Sequence, residues 1–228
     1  MMVAMTDHRG LKPYDVEVSL PTGRDTVWQA VTQPPLLHQW FGWEYDGLDA
    51  EIRQLFVDEA TMWAPERMGW ADGSFLEVTG DDDQATVRVH REGSGPSGPE
   101  RYDAIEEAWR AFLTQLRFLL ERAPTGRRRT LYLTGLTTGP KALALATTDW
   151  DRFGPRTAST VDPAGHLLVV SSRAPLTTKS PARTELIVTT YGLDDDAFDA
   201  LQKDWTNRWS PIATNAETTT ATDPAPDN

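Results

Sequence analysis

The chain contains no cysteine. That excludes disulfides, thiolate nucleophiles and every cysteine-ligated zinc site, and it fits a reducing compartment. Histidine is scarce: His8, His38, His90 and His166 are scattered, with no H-E-x-x-H pair and no other zinc-ligand spacing. No apolar run reaches eighteen residues, and the Met1 to Gly10 start carries Asp7, His8 and Arg9 where a signal peptide needs an apolar core. Neither a membrane span nor a secretory leader is expected. Basic residues are outnumbered, 22 Lys and Arg against 34 Asp and Glu, and the formal charge of −12 would repel phosphate backbones and anionic lipid. G-x-S-x-G and P-loop motifs are missing too. Together these absences predict a cytoplasmic protein with no cofactor or metal, no nucleic-acid partner and no obvious catalytic constellation.

Tryptophan, by contrast, is abundant. Nine in 228 residues suggest a broad aromatic core or a cavity lined by large flat side chains. Val16, Val18 and Leu20 alternate with polar residues, which predicts a half-buried strand ended by Pro21-Thr22-Gly23. A helix carrying Val27, Trp28 and Val31 follows, stopped by Gln33-Pro34-Pro35 before a short turn into Trp40-Phe41-Gly42. Short strands are read at Leu48 to Ile52, Leu55 to Val57, Thr61 to Met62, Arg67 to Trp70, Phe75 to Val78 and Ala85 to His90. Asp81-Asp82-Asp83 reads as a solvated hairpin loop, because three adjacent carboxylates favour water.

The segment from Tyr102 to Glu121 gives the strongest periodic signal. Tyr102, Ile105, Trp109, Phe112, Leu116 and Leu119 recur at steps of three and four, leaving Glu106, Arg110, Gln115 and Arg117 largely off the apolar face. Pro124 and Gly126 end this helix, and Arg127-Arg128-Arg129 would complement its C-terminal dipole. Farther on, a strand at Thr130 to Thr134, a helix-like run Ala142 to Ala146, and strands near Leu167 to Ser171 and Glu185 to Thr190 lead to a second helix with Phe198, Leu201, Trp205 and Trp209 on one side. The order of elements repeats the first half. This part reads as a degenerate second copy of the fold that lacks strands, or as an extension packed on the first. The domain reading is therefore 11–124 for the first unit, 128–212 for a smaller α+β unit, and a disordered Thr-, Ala-, Asp- and Pro-rich tail at 213–228.

An opening strand, a small helical pair ending in Trp40-Phe41, a run of strands and one long closing helix form the pattern of the helix-grip fold. On these residues the chain resembles the SRPBCC (START-like) superfamily, most closely the branch that includes the activator of the heat-shock-protein-90 ATPase. Where that family often has Gly-Trp near the start of its closing helix, this chain has Ala108-Trp109. The resemblance implies an α+β fold in which an antiparallel sheet wraps the long helix and leaves a cavity between them. By that resemblance Trp109, Phe112 and Leu116 on the helix would look into the grip opposite Trp63, Trp70 and Phe75. Non-catalytic binding of a small apolar or aromatic ligand there is the function it implies. A protein-interaction module like the chaperone activator is the first alternative, and a polyketide cyclase or aromatase the second. The last would need a positioned acid or base, for which His90, Tyr45 and Glu77 are the available types. Alternation along Val87-Arg88-Val89-His90, however, sets His90 with Arg88 and away from the valines.

Gly93-Ser-Gly95-Pro-Ser-Gly98 satisfies G-x-G-x-x-G between a strand and a helix. A dinucleotide site also needs a parallel βαβ unit, which a closing helix does not provide, and Pro96 and Pro99 remove backbone donors that a pyrophosphate would use. A turn is the expected role.

Overall fold

The computed structural model describes residues 10–98, 101–146 and 149–221, and the chain divides into two compact units. The first comprises residues up to His38 together with Ala50–Arg122; the second comprises Gln39–Asp49 together with everything from Ala123 onward.

In the first unit the alternating segment is strand β1, Tyr14–Leu20, followed by helices α1, Arg24–Thr32, and α2, Pro34–Leu37. Strands β2, Thr61–Trp63, β3, Arg67–Gly69, β4, Phe75–Gly80, and β5, Ala85–Arg91, then form a meander whose last strand returns beside the first. The antiparallel order is β1-β5-β4-β3-β2. Helix α4, Ala104–Arg122, closes the unit against β1. Strict alternation sorts the sheet into two faces. Met68, Leu76, Val89 and Val16 form one cross-strand row of the inner face, and all four are buried. The outer face carries rows such as Trp63, Arg67, Glu77, Arg88 and Glu17.

One stretch departs from the strands expected there. Residues Leu48–Arg53 form helix α3, which continues as a π-helical turn through Gln54–Asp58. The reason lies in the spacing: Leu48, Ile52 and Phe56 recur every four residues and are all buried, a helical stripe that short apolar runs concealed.

The second unit is built in the same order. Strand β6, Arg128–Thr137, and helix α5, Gly139–Leu143, precede β7, Asp151–Arg152, β8, Thr157–Val161, β9, Leu167–Ser172, and β10, Ala182–Tyr191. Helix α6, Asp195–Trp209, follows, capped by the Asp194 carboxylate accepting from the Ala197 N–H at 2.8 Å. The sheet order β6-β10-β9-β8-β7 matches β1-β5-β4-β3-β2 strand for strand. Its core joins Leu131, Leu133, Leu168, Val170, Leu186 and Val188 to Trp205 and Trp209.

One expectation for this part is corrected. Part of the tail expected to be disordered, Thr214–Thr219, is strand β11, paired antiparallel with the free edge of β6, so backbone pairing orders a segment that has no large apolar side chain to bury. The Arg127 to Arg129 cluster, read as complementing the α4 dipole, makes its contacts within the second unit. Arg128 opens β6 instead, fully buried, and its guanidinium donates to the Phe41 carbonyl at 2.9 Å and the Gly42 carbonyl at 2.6 Å. Burial pulls its pKa below the usual arginine range. Arg129 pairs with Asp195 at 2.7 Å, and Arg127 lies 3.9 Å from Glu44.

Candidate functional site

Helix α4 meets the first sheet through an unusually mixed face. Trp109, Leu113 and Leu116 are buried, but so are Glu106, Thr114 and Gln115, whereas Ile105 is 48% exposed. The expected stripe is thus displaced at its first turn, and the physical cause is charge pairing. Glu106 sits under two cations: the Lys12 ammonium, with which it forms a short contact, and the Arg110 guanidinium at 2.8 Å. Lys12 also donates to the Arg101 carbonyl at 2.9 Å. Arg91, at the end of β5 and 2% exposed, donates to the Lys12 carbonyl at 2.9 Å and pairs with Asp103. Asp103 in turn caps α4, its other oxygen accepting from the Ile105 and Glu106 N–H groups at 3.0 Å each. Buried ions held this way survive because each is paired and hydrogen-bonded.

Next to this ionic cluster stands an aromatic one. The rings of Trp70 and Trp109 are 5.9 Å apart, Trp109 and Phe112 meet edge to face at 6.0 Å, and Phe56 meets Trp70 edge to face at 6.3 Å. The Trp70 indole N–H donates to the Leu55 carbonyl at 2.8 Å, fixing the ring. Trp70 and Phe112 remain half-buried, so part of the aromatic surface is accessible.

Of the six side chains expected to line the grip, Trp70, Trp109 and Phe112 come together, and Leu116 is fully buried two turns along the helix from Trp109. Trp63 and Phe75 do not join them. Trp63 is 56% exposed on edge strand β2, its ring over Gly69. Phe75 points to the outer face, its ring tilted 41° against His90 at 5.1 Å and lying beneath the Arg67 guanidinium. The register explains both: each sits opposite outer-face residues, Trp63 across from Arg67 and Phe75 across from His90. His90 shares that face with Arg88, as its alternation predicts, and lies 3.5 Å from Asp15. The Arg88 hydrogen bonds hold the Asp15 carboxyl below the usual range.

Tyr14 and Arg91 belong to the inner face and were not singled out in the sequence. The signal was present, since Tyr14 extends the Val16-Val18-Leu20 alternation and Arg91 extends Val87-Val89. The Arg91 guanidinium lies 4.5 Å above the Tyr14 ring. Burial pushes the Tyr14 phenol far above its ordinary pKa, the Arg91 charge opposing and the Asp72 and Asp103 charges adding to the rise. The group holds its proton throughout the physiological range.

The G-x-G-x-x-G loop has a backbone explanation. A Cβ at Gly93 would fall 2.3 Å from the Leu11 carbonyl oxygen, and the Gly95 N–H donates to that same carbonyl at 2.9 Å. These glycines admit a neighbouring chain segment. The Asp81 carboxylate likewise closes its own hairpin, accepting from the Asp83 and Gln84 N–H groups, which lower its pKa. Among the described residues no group of three metal-ligating side chains converges, and no helix is long and apolar enough to cross a membrane.

No family model and no curated protein matches the chain. Three solved structures resemble it. DynU16, a protein in the dynemicin biosynthetic locus, is 18% identical, with 87% of this chain and 95% of that chain covered and a TM-score of 0.31. The di-domain ARO/CYC proteins BexL, from the BE-7585A biosynthetic pathway, and StfQ, from the steffimycin biosynthetic pathway, are 9% and 11% identical. They cover 87% and 86% of this chain, and 93% and 94% of their own chains are covered, at TM-scores of 0.31 and 0.28. At such loose superposition the function rests on this chain's own side chains.

Proposed function

We propose that the first unit binds a small apolar or aromatic molecule between its sheet and α4. The observation that carries this reading is the Trp70, Trp109 and Phe112 cluster, whose rings pack on one another while Trp70 and Phe112 keep accessible surface. Flat rings with a fixed indole and a polar network at one end suit a ligand that is mostly hydrophobic with a few oriented polar groups. Binding is favoured over turnover by the state of the neighbouring polar groups. Tyr14 keeps its proton, and the Asp103 and Glu106 carboxylates are engaged by Arg91, Lys12 and Arg110, so none of these three groups stands ready as a base.

Native mass spectrometry of gently purified protein tests the reading. An extra mass that disappears on denaturation and belongs to one apolar molecule is expected, and Trp70→Ala should abolish its retention. Protein that carries no such mass and retains none after incubation with aromatic extracts would count against it.

A further inference from the structure

The outermost strand of a sheet presents unpaired backbone donors and acceptors, and proteins guard such edges with charge or by covering them. The two sheets formed by the described residues have four edges. Strand β1 sets Asp15 and Glu17 on its outer face and packs against α4, β7 is the charged pair Asp151 and Arg152, and β11 carries Glu217 and no large apolar side chain. The β2 edge is different. It is short but otherwise unguarded: residues Ala60 to Ala64 include no charge, and Met62 and Trp63 are 41% and 56% exposed.

These two side chains leave the strand on opposite faces. Met62 is the last member of the inner-face row that runs through Val16, Val89, Leu76 and Met68, and the other four are fully buried. The apolar row therefore stops open at the edge. A second copy of the same segment continues it. Read antiparallel to itself about Met62, the segment sets Ala60 against Ala64, Thr61 against Trp63, and Met62 against Met62. Small residues then meet at the ends, a β-branched side chain meets an aromatic ring on the outer face, and apolar meets apolar on the inner face, all favourable cross-strand pairs. Charges beside the segment are engaged within their own chain: Asp58 lies 3.7 Å from Arg53, Glu59 accepts from Gln54 at 2.6 Å, and Arg67 pairs with Glu77.

We infer that β2 pairs antiparallel with β2 of a second copy about a twofold axis at Met62, joining two five-stranded sheets edge to edge. The paired segment is short beside the roughly 20 to 30 residues a side of a standard interface, so the dimer is weak and reversible, with a Kd of about 10 to 100 μM. It tightens as salt rises, because each copy carries a formal charge of −12.

Sedimentation equilibrium of the full chain between about 5 and about 500 μM spans that range. Met62→Lys puts a charge on the edge and should raise the Kd by at least about tenfold, while the melting temperature of dilute protein stays the same because the side chain is exposed. Since the chain has no cysteine, Met62→Cys supplies a single thiol on the twofold axis, where facing Cα atoms lie about 4.5 to 5.5 Å apart and within disulfide reach. Mild oxidation should convert it to a covalent dimer, whereas Leu136→Cys, at a comparably exposed position of the second unit, should remain monomeric. A monomer at every concentration, a dimer untouched by Met62→Lys, or equal cross-linking of the two cysteine variants would overturn the inference.

Discussion

Trp109 and Trp63 illustrate how differently two tryptophans of one unit are used. Trp109 is 8% exposed and touches Trp70 and Phe112, whereas Trp63 is 56% exposed on an edge strand. Trp109→Ala should therefore lower unfolding stability by about 3 to 5 kcal/mol, while Trp63→Ala should change it by less than about 0.5 kcal/mol. Urea denaturation of the two variants measures both; similar losses would contradict the assigned faces. At this scale the sequence was legible for residues whose neighbours set a period. Trp109 and Leu116 follow from helical spacing, and the placing of His90 follows from alternation. Glu106 and Gln115 did not, because a polar side chain becomes buried only when a distant partner such as Lys12, ninety-four residues away from Glu106, neutralises it. Nothing local in the sequence records that pairing.

At the scale of elements, the segment Gln39–Asp49 belongs by packing to the second unit although it lies within the first in sequence. Trp43 stacks on Tyr132 at 3.9 Å with the rings nearly parallel, and the Glu44 carboxylate accepts from the Thr130 N–H at 2.9 Å. The Tyr191 hydroxyl, its pKa pushed up to about 12 by burial, donates to the Gln39 carbonyl. Phe41 and Gly42 supply the acceptors for the buried Arg128 guanidinium. A boundary drawn along the sequence at residue 128 misses this segment, because linear order does not encode such an exchange. A fragment of residues 123–228 keeps Arg128 but loses the Phe41 and Gly42 carbonyls that accept from it, and removing partners from a buried cation costs several kcal/mol. It should lack cooperative thermal unfolding by circular dichroism, and a sharp native-like transition would contradict the role given to residues 39–49. The same limit explains α3: its i, i+4 stripe is a local signal, but Leu55-Phe56-Val57 reads equally well as strand until the tertiary partners of Phe56 are known.

Over the whole molecule, two units repeat one plan: a strand, helical turns, a meander that returns to the first strand, and a closing helix. The element order of the second half was readable from sequence, while strands β7, β8 and β11 were not, since short or polar strands leave little periodic trace. We propose that the units descend from a duplication, the second having kept its sheet order and gained β11 on the edge of β6. Their interiors have since diverged. The second unit's helix fills its core with Trp205 and Trp209, and the Trp209 indole N–H is tied to the Thr134 carbonyl at 3.0 Å. The first keeps part of its aromatic surface accessible beside a buried ionic network. This division of roles is the central claim, and indole N–H resonances report on it directly. In a titration of the nitrogen-15-labelled chain with 9-fluorenone, the Trp70 and Trp109 indole signals, assigned by single Trp→Phe variants, should shift saturably while those of Trp205 and Trp209 stay fixed. Saturable shifts confined to Trp205 and Trp209, or none at Trp70 and Trp109, would contradict it.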